Sequence, residues 1–506
     1  MAINDSFGLA CHVPAICQWV RGKQPISGGY NFYANLEIDF LYKLKITRMD
    51  EYNKNRLKKL MMFLLSLVLA VGLTFLIKEP GFNDSQVYVL FLLFFSVGLW
   101  LTEAIPAFAV SLFIIAFLVF AMGNKYFNSA PEDIAPYVNT FSSSVIWLML
   151  GGFFLASAMT KTKLDEALFR FTLKISGTNP RNLLIGIMFT TMVASMMMSN
   201  TATTAMVIAA VTPLLASLGK KSGFTKALLL GIAIASTTGG MGTIIGTPPN
   251  AIAAGALENA GITINFIDWM KYGFPLAIVL TGISCFVLIR LFIRDKTPIS
   301  LDFLEMQKLD HSREFIRQRR IVTVVIILTV GLWLTTSVHG IKVAAVCAVP
   351  LVILTLTRVL EGKDIQRLPW DTLLLVAGGL SLGLALENTG LLNHYAQKLI
   401  TLEINGIMIM FILAFITMIV SNIMSNTAAS TVMIPLGIAI LVGFKSEIAL
   451  IIAFAASSSI FLPVSSPTNA IVFSTGYLEQ KDFRIGGVLL GVLGPVLAIL
   501  WVLFIS

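Results

Sequence analysis

Ser-Asn-Thr occurs twice in otherwise apolar settings, in MMMSNTATTAMV at 196–207 and in IMSNTAASTVMI at 423–434. Each copy is followed by a proline-asparagine break, GTPPN at 246–250 and SSPTN at 465–469. Hydroxyl and carboxamide oxygens, joined by carbonyls that an irregular backbone releases, suit a hard monovalent cation such as sodium. Helix amino-termini carrying Asn and Thr donors suit a carboxylate or sulfate. Neither motif contains Lys or Arg, so bound cations would supply the positive potential for an anion. The two charges together form a cargo cheaper to move through a low dielectric.

A lone Ser-Asn-Thr has a blander reading, because Ser and Thr in membrane helices commonly bond their own backbone and small residues pack helices closely. Duplication argues against it here. LGGFFLASAMTKTKLDEAL from Leu150 echoes AGGLSLGLALENTGLLNHY from Ala377, an offset of 227, and the Ser-Asn-Thr pair follows at 226. The breaks match at 219. Gly246 permits close approach, while Pro248, Pro249 and Pro467 remove amide donors and forbid a continuous helix.

The surrounding elements must cross a membrane. The chain of 506 residues is 56% hydrophobic and only 12% charged, against about a quarter charged in soluble domains. Stretches long enough for about 30 Å of hydrocarbon lie near 60–78, 87–105, 107–123, 143–160, 271–293, 320–337, 341–357, 372–388 and 483–505. Regions 225–258 and 446–477 read as broken helices, and 181–218 and 404–441 as re-entrant hairpins around the Ser-Asn-Thr motifs. The expectation is an all-α polytopic membrane protein with about eleven transmembrane helices plus two re-entrant helical hairpins.

Loop charge decides for hairpins over single crossings. With the amino terminus inside, 25 Lys and Arg fall on the inner side, whereas only Lys78, Lys125, Lys271, Lys342, Lys398 and Lys445 fall outside. Full crossing by either Ser-Asn-Thr region would weaken that bias. An odd number of crossings then separates equivalent elements, giving an inverted-topology repeat, the signature of secondary transporters. The expected organisation is an extension and basic lead at 1–58, a first repeat at 59–293, a cytoplasmic linker at 294–319 and a second repeat at 320–506. Residues 1–48 show no sustained period and read as an upstream extension, with Met49 as a natural-looking start.

Other candidates weigh less. Glu103 and Glu387 are apolar-flanked carboxylates near span ends, Met196–Met198 reads as packing, and His394 as a solvated loop residue. Cys11, Cys17, Cys285 and Cys347 have no metal or redox spacing. An intramembrane protease would need a base beside its serine, paired aspartates or HExxH. A channel would need a continuous polar path or charged rings. Neither an enzyme nor a channel is expected. The net charge of +9 belongs to basic loops, with no nucleic-acid partner expected.

WLTEAIP at 100–106, the paired SNT motifs, GTPPNA and SSPTNAIVFSTG closely resemble the divalent anion/sodium symporter (DASS) family, from about residue 55 to the end. The resemblance implies a homodimer in which each protomer has a scaffold and an elevator-type transport domain. It implies a first sodium site at Ser195, Ser199, Asn200 and Gly246, and a second at Ser421, Met424 through its carbonyl, Asn426 and Ser465. Substrate carboxylates would meet Asn200, Thr201 and Thr247 from one half, and Asn426, Thr427, Ser466 and Pro467 from the other. Thr468 departs from the second proline common in the family, and Ser465 stands where a small residue such as Ala is usual. The implied activity is sodium-coupled import of dicarboxylates of the succinate, malate and fumarate class across the cytoplasmic (inner) membrane. Sodium ions are then the coupling ions, with no other cofactor. Sodium-independent dicarboxylate or citrate exchange and sodium/sulfate symport remain alternatives.

Overall fold

The computed structural model describes residues 30–220, 222–294, 297–300, 312–400, 405–463 and 465–506, with side-chain surroundings from residue 54 onward. The expectations for residues 1–29 and for linker residues 301–311 lie outside it. The chain divides into two units, Met1–Met61 and Met62–Ser506. Helix Tyr30–Ile77 places residues 30–48 in regular structure, although they carry no apolar period. Nothing from Tyr30 onward in that helix is a proline, so no breaker stops it.

Among the described residues of the second unit every regular element is helical. Among the described residues, eight helical segments are long and apolar enough to cross a membrane: Lys54–Ile77, Asp84–Thr102, Ala135–Lys161, Asn200–Leu218, Gly223–Met241, Phe266–Phe292, Trp370–Asn388 and Gln480–Ile505. Ala107–Gly123, Val343–Leu356 and Gly406–Ser421 are shorter apolar helical segments. The span expected at 320–337 starts earlier, as Arg313–Leu334. Ser312 caps it by accepting from the Phe315 amide, and Arg317 pairs with Glu314 across one turn. The span expected at 341–357 divides at Cys347 into Val343–Val346 and Ala348–Leu356.

Both hairpins and both breaks are present as local structure. Helices Pro180–Ser195 and Asn200–Leu218 flank the first SNT turn, and Gly406–Ser421 and Asn426–Ile440 the second. Gly223–Met241 stops before GTPPN and resumes as Pro248–Asn259, while Lys445–Ser457 stops and resumes as Pro467–Ser474. Pro at the first helical position suits both restarts, because its missing amide would be unpaired there anyway.

The first arms of the broken helices are the innermost parts of this unit. Every residue from Ala227 to Met241, and from Ile448 to Ser457, is buried. Gly, Ala, Ser and Thr dominate both arms near the break, which lets neighbouring backbones come close. At Gly239 an added Cβ would stand 2.2 Å from the Met192 carbonyl oxygen. The second arms cross between repeats. Pro467–Ser474 packs on Asn200–Leu218, and Pro248–Asn259 packs on Asn426–Ile440.

His394 departs from expectation. It sits on helix Leu391–Ile400, half-buried, with Nε2 3.1 Å from Glu79 Oε2. Lys398 also donates to Glu79, and its ammonium holds the Glu79 carboxyl below the usual range. Glu103 is exposed at the left-handed cap after Thr102, and Glu387 is exposed near the end of Trp370–Asn388. Met196 and Met198 are buried, in keeping with packing.

Gly239→Ala is expected to lower the melting temperature of the purified protein, at a cost of about 1–3 kcal/mol for overpacking against fixed backbone. Gly282→Ala, with nothing within 4 Å of its Cβ, should leave it unchanged; differential scanning fluorimetry compares them.

Candidate functional site

Each SNT turn is a point where one helix ends and another begins. Ser199 and Ser425 are N-caps whose hydroxyls accept from the amides of Ala202 and Ala428, each at 3.2 Å. That leaves Asn200 and Asn426 as the first helical residues, both half-buried. Ser195 Oγ lies 2.8 Å from Asn200 Oδ1 and 2.7 Å from the Ser236 carbonyl. Ser421 Oγ repeats this at 2.9 Å from Asn426 Oδ1 and 2.8 Å from the Ala456 carbonyl. One serine hydroxyl thus couples each hairpin turn to the end of each broken helix.

The breaks are held by asparagines that sequence reasoning did not single out. Asn250 Nδ2 donates to the carbonyls of Gly240 at 2.8 Å and Thr243 at 2.7 Å. Asn469 Nδ2 donates to those of Ile460 at 3.0 Å and Leu462 at 2.8 Å. The indole of the buried Trp269 donates to the Met241 carbonyl at 3.0 Å, and Thr243 Oγ1 ties the break to Met196 by donating to its carbonyl. The signal was the shared final Asn of GTPPN and SSPTN. In both halves its Oδ1 is buried with no hydrogen-bond partner among the described residues.

The residues expected at the first sodium site are brought together: Ser195 meets Asn200, and Asn200 Oδ1 lies against Gly240. Gly246 closes on the same segment, since a Cβ there would stand 2.5 Å from the Gly240 carbonyl oxygen. Ser199 serves as the cap. In the second half, Ser421 and Asn426 meet, and Met424 is buried in the turn. Ser465 Oγ donates to the Leu462 carbonyl at 2.9 Å and lies 3.3 Å from the Ser459 carbonyl.

Among the expected substrate contacts, Thr201 and Pro467 are exposed, Thr427 is half-buried, and Thr247 and Ser466 are buried N-caps. Ser466 Oγ accepts from the Asn469 amide and lies 2.7 Å from Thr468 Oγ1. Thr247 makes no side-chain cap bond. The Thr468 departure therefore engages a hydroxyl in one half whose counterpart is not so engaged in the other.

Four helix ends converge in each half. The carboxyl ends of Pro180–Ser195 and Gly223–Met241 present carbonyls with about half a negative charge each, and the amino ends of Asn200–Leu218 and Pro248–Asn259 present amides of opposite sign. The second half repeats the pattern with Gly406–Ser421, Lys445–Ser457, Asn426–Ile440 and Pro467–Ser474. Such a centre can take an anion and a cation together. Its donors are hydroxyls, carboxamides and carbonyls, a set that fits a hard monovalent ion better than a transition metal.

A family model described as "Sodium:sulfate symporter transmembrane region" matches residues 57–505. The chain belongs to the divalent anion/sodium symporter family. It is 30% identical over 469 residues to the sodium-dependent dicarboxylate transporter SdcS of Staphylococcus saprophyticus subsp. saprophyticus, covering 86% of this chain and 89% of that protein. The SdcS protein of Staphylococcus aureus (strain USA300) is 29% identical over 457 residues, covering 83% and 86%. Two solved transporters share the fold. The YdaH transporter of Alcanivorax borkumensis has a TM-score of 0.54 at 13% identity, covering 79% of this chain and 99% of its own. MtrF of Neisseria gonorrhoeae has a TM-score of 0.54 at 14% identity, covering 80% and 96%. The protein is a multi-pass membrane transporter of this family.

Asn250→Ala and Asn469→Ala should each destabilise the protein by on the order of 2 kcal/mol, because each removes two buried hydrogen bonds to the carbonyls of its break. A lowered thermal midpoint is the readout, and midpoints equal to wild type would show that the breaks hold their shape without these side chains.

Proposed function

We propose that the protein is a sodium-coupled symporter that imports dicarboxylates of the succinate, malate and fumarate class. The observation that carries this reading is the convergence in each half of two carbonyl-bearing and two amide-bearing helix ends on an Asn–Ser pair. The SdcS relatives support both the ion and the substrate class. Ser195, Ser199, Asn200 and Gly246 hold one sodium; Ser421, Met424 through its carbonyl, Asn426 and Ser465 hold another. Asn200, Thr201 and Thr247, with Asn426, Thr427, Ser466 and Pro467, receive the two carboxylates. Bound sodium cancels part of the anion's charge, so the loaded centre meets a smaller desolvation cost than a dianion alone.

Movement in this reading is of the elevator type, within a homodimer of the cytoplasmic (inner) membrane with the amino terminus inside. The hairpins, the broken helices and the spans that follow them, Phe266–Phe292 and Phe483–Ile505, form the mobile part. Its seam with Trp370–Asn388 supports sliding, because Gly379 and Gly383 face Thr431 and Pro435 with no side chain of their own. A cavity of about 90 Å³ lies on that seam, lined by Ile252, Ala256, Leu380, Gly383, Pro435 and Ile438 among others, and not at the Asn–Ser pairs.

The test is uptake of labelled succinate into proteoliposomes under an inward sodium or an equal choline gradient. Sodium-dependent accumulation is expected; uptake indifferent to sodium but driven by internal succinate would replace symport with exchange. Asn200→Ala and Asn426→Ala should each reduce uptake at least about tenfold and weaken apparent sodium and succinate affinity together, as expected where one residue orients both ligands. Normal transport by either variant would remove the shared site from that half.

A further inference from the structure

The two sodium sites proposed above are not copies of one another. Gly240 and Ser459 hold equivalent places, at the same offset of 219 that relates Asn250 to Asn469. Both abut the carboxamide oxygen of their half's SNT asparagine. In the first half there is no room for a side chain, since a Cβ on Gly240 would stand 2.3 Å from Asn200 Oδ1. In the second, helix Lys445–Ser457 ends before Ser459, and a hydroxyl occupies the place. Ser459 is fully buried, its Oγ 2.7 Å from Asn426 Oδ1, 3.0 Å from Ser421 Oγ and 3.0 Å from the Ala456 carbonyl.

Those distances match a ligand shell. Oxygens that hold a hard cation at about 2.3–2.6 Å stand about 3 Å from one another, the spacing that Ser459 Oγ keeps from both Asn426 Oδ1 and Ser421 Oγ. The hydroxyl also has somewhere to send its hydrogen. When it donates to the Ala456 carbonyl instead of Asn426 Oδ1, its lone pairs become available to the ion. Ser421, which lies 2.8 Å from the same carbonyl, can turn in the same way.

We infer that the Ser459 hydroxyl is an additional oxygen ligand of the second sodium ion, so that the second site carries a donor that the first, with Gly240, lacks. This rests on the sodium-symport reading. It makes the two sites unequal in affinity, the second being the tighter.

The experiment measures thermal stabilisation of the purified full-length protein by sodium, without substrate, with choline keeping ionic strength constant. Wild type, Ser459→Ala and Ser459→Cys are compared; the cysteine keeps the shape but offers a soft sulfur that sodium does not favour. The half-stabilising sodium concentration should rise about tenfold in both variants, the low end of what loss of an oriented metal partner costs. Melting in sodium-free buffer sets each variant's own baseline, since losing a buried hydroxyl lowers stability by itself. Ser458→Ala is the control, because its hydroxyl bonds the Phe454 carbonyl of its own helix at 2.8 Å, and it should titrate like wild type. If wild type responds to sodium but the Ser459 variants respond with the same half-point, Ser459 is a structural hydrogen-bond donor only and the inference falls while the symport reading stands. If wild type shows no stabilisation by sodium, the reading and the inference fall together.

Discussion

Interrupting a helix in a buried setting releases backbone amides and carbonyls that have no water to turn to. That constraint governs this molecule. The innermost helical arms, Gly223–Met241 and Lys445–Ser457, both stop inside protein, and much around them serves to pair or aim what the breaks expose. Asn250 and Asn469 hold the loop carbonyls, Trp269 holds the Met241 carbonyl, and Ser195 and Ser421 bridge each break to its SNT turn. Among the described residues, the buried Asn250 and Asn469 carboxamide oxygens stay without a partner, as do the Thr203 and Ser457 hydroxyls beside the SNT turn and the second break.

The same constraint explains why no fixed charge is needed in either motif. In the proposed sodium-coupled reading, a lysine or arginine beside the asparagines would compete with a bound cation and would remain behind, charged and desolvated, when the anion left. Helix ends supply partial charges of both signs at fixed positions. They would let the proposed centre be close to neutral when empty and close to neutral when loaded with ions of opposite charge.

Much of this was legible in the sequence because prolines, an offset repeat and loop cations are one-dimensional signals. SNT at 199–201 and 425–427, the Pro-Asn breaks and most apolar helices stand where those signals put them. What was not legible depends on which backbone approaches which. Gly240 and Ser459 differ by one side chain, and only the proximity of Asn200 and Asn426 gives that difference a meaning. Asn250 and Asn469 could have been singled out from their repetition, yet their task is set by carbonyls that come near only after the break folds. His394 was expected to be a solvated loop residue, and it is instead half-buried on a helix beside Glu79, more than 300 positions earlier in the chain.

The crossing of second arms between repeats has a consequence for biosynthesis. Helix Asn200–Leu218 packs on Pro467–Ser474, and Asn426–Ile440 on Pro248–Asn259, so each repeat completes its sibling much as exchanged segments do in a domain-swapped dimer. During translation the first repeat is inserted long before Pro467 has been made. Its SNT helix then has its partners Pro180–Ser195 and Gly223–Met241 but not Pro467–Ser474. The residues gathered in the first half all precede residue 250, yet the flank of their SNT helix is covered only by a segment made more than 200 residues later.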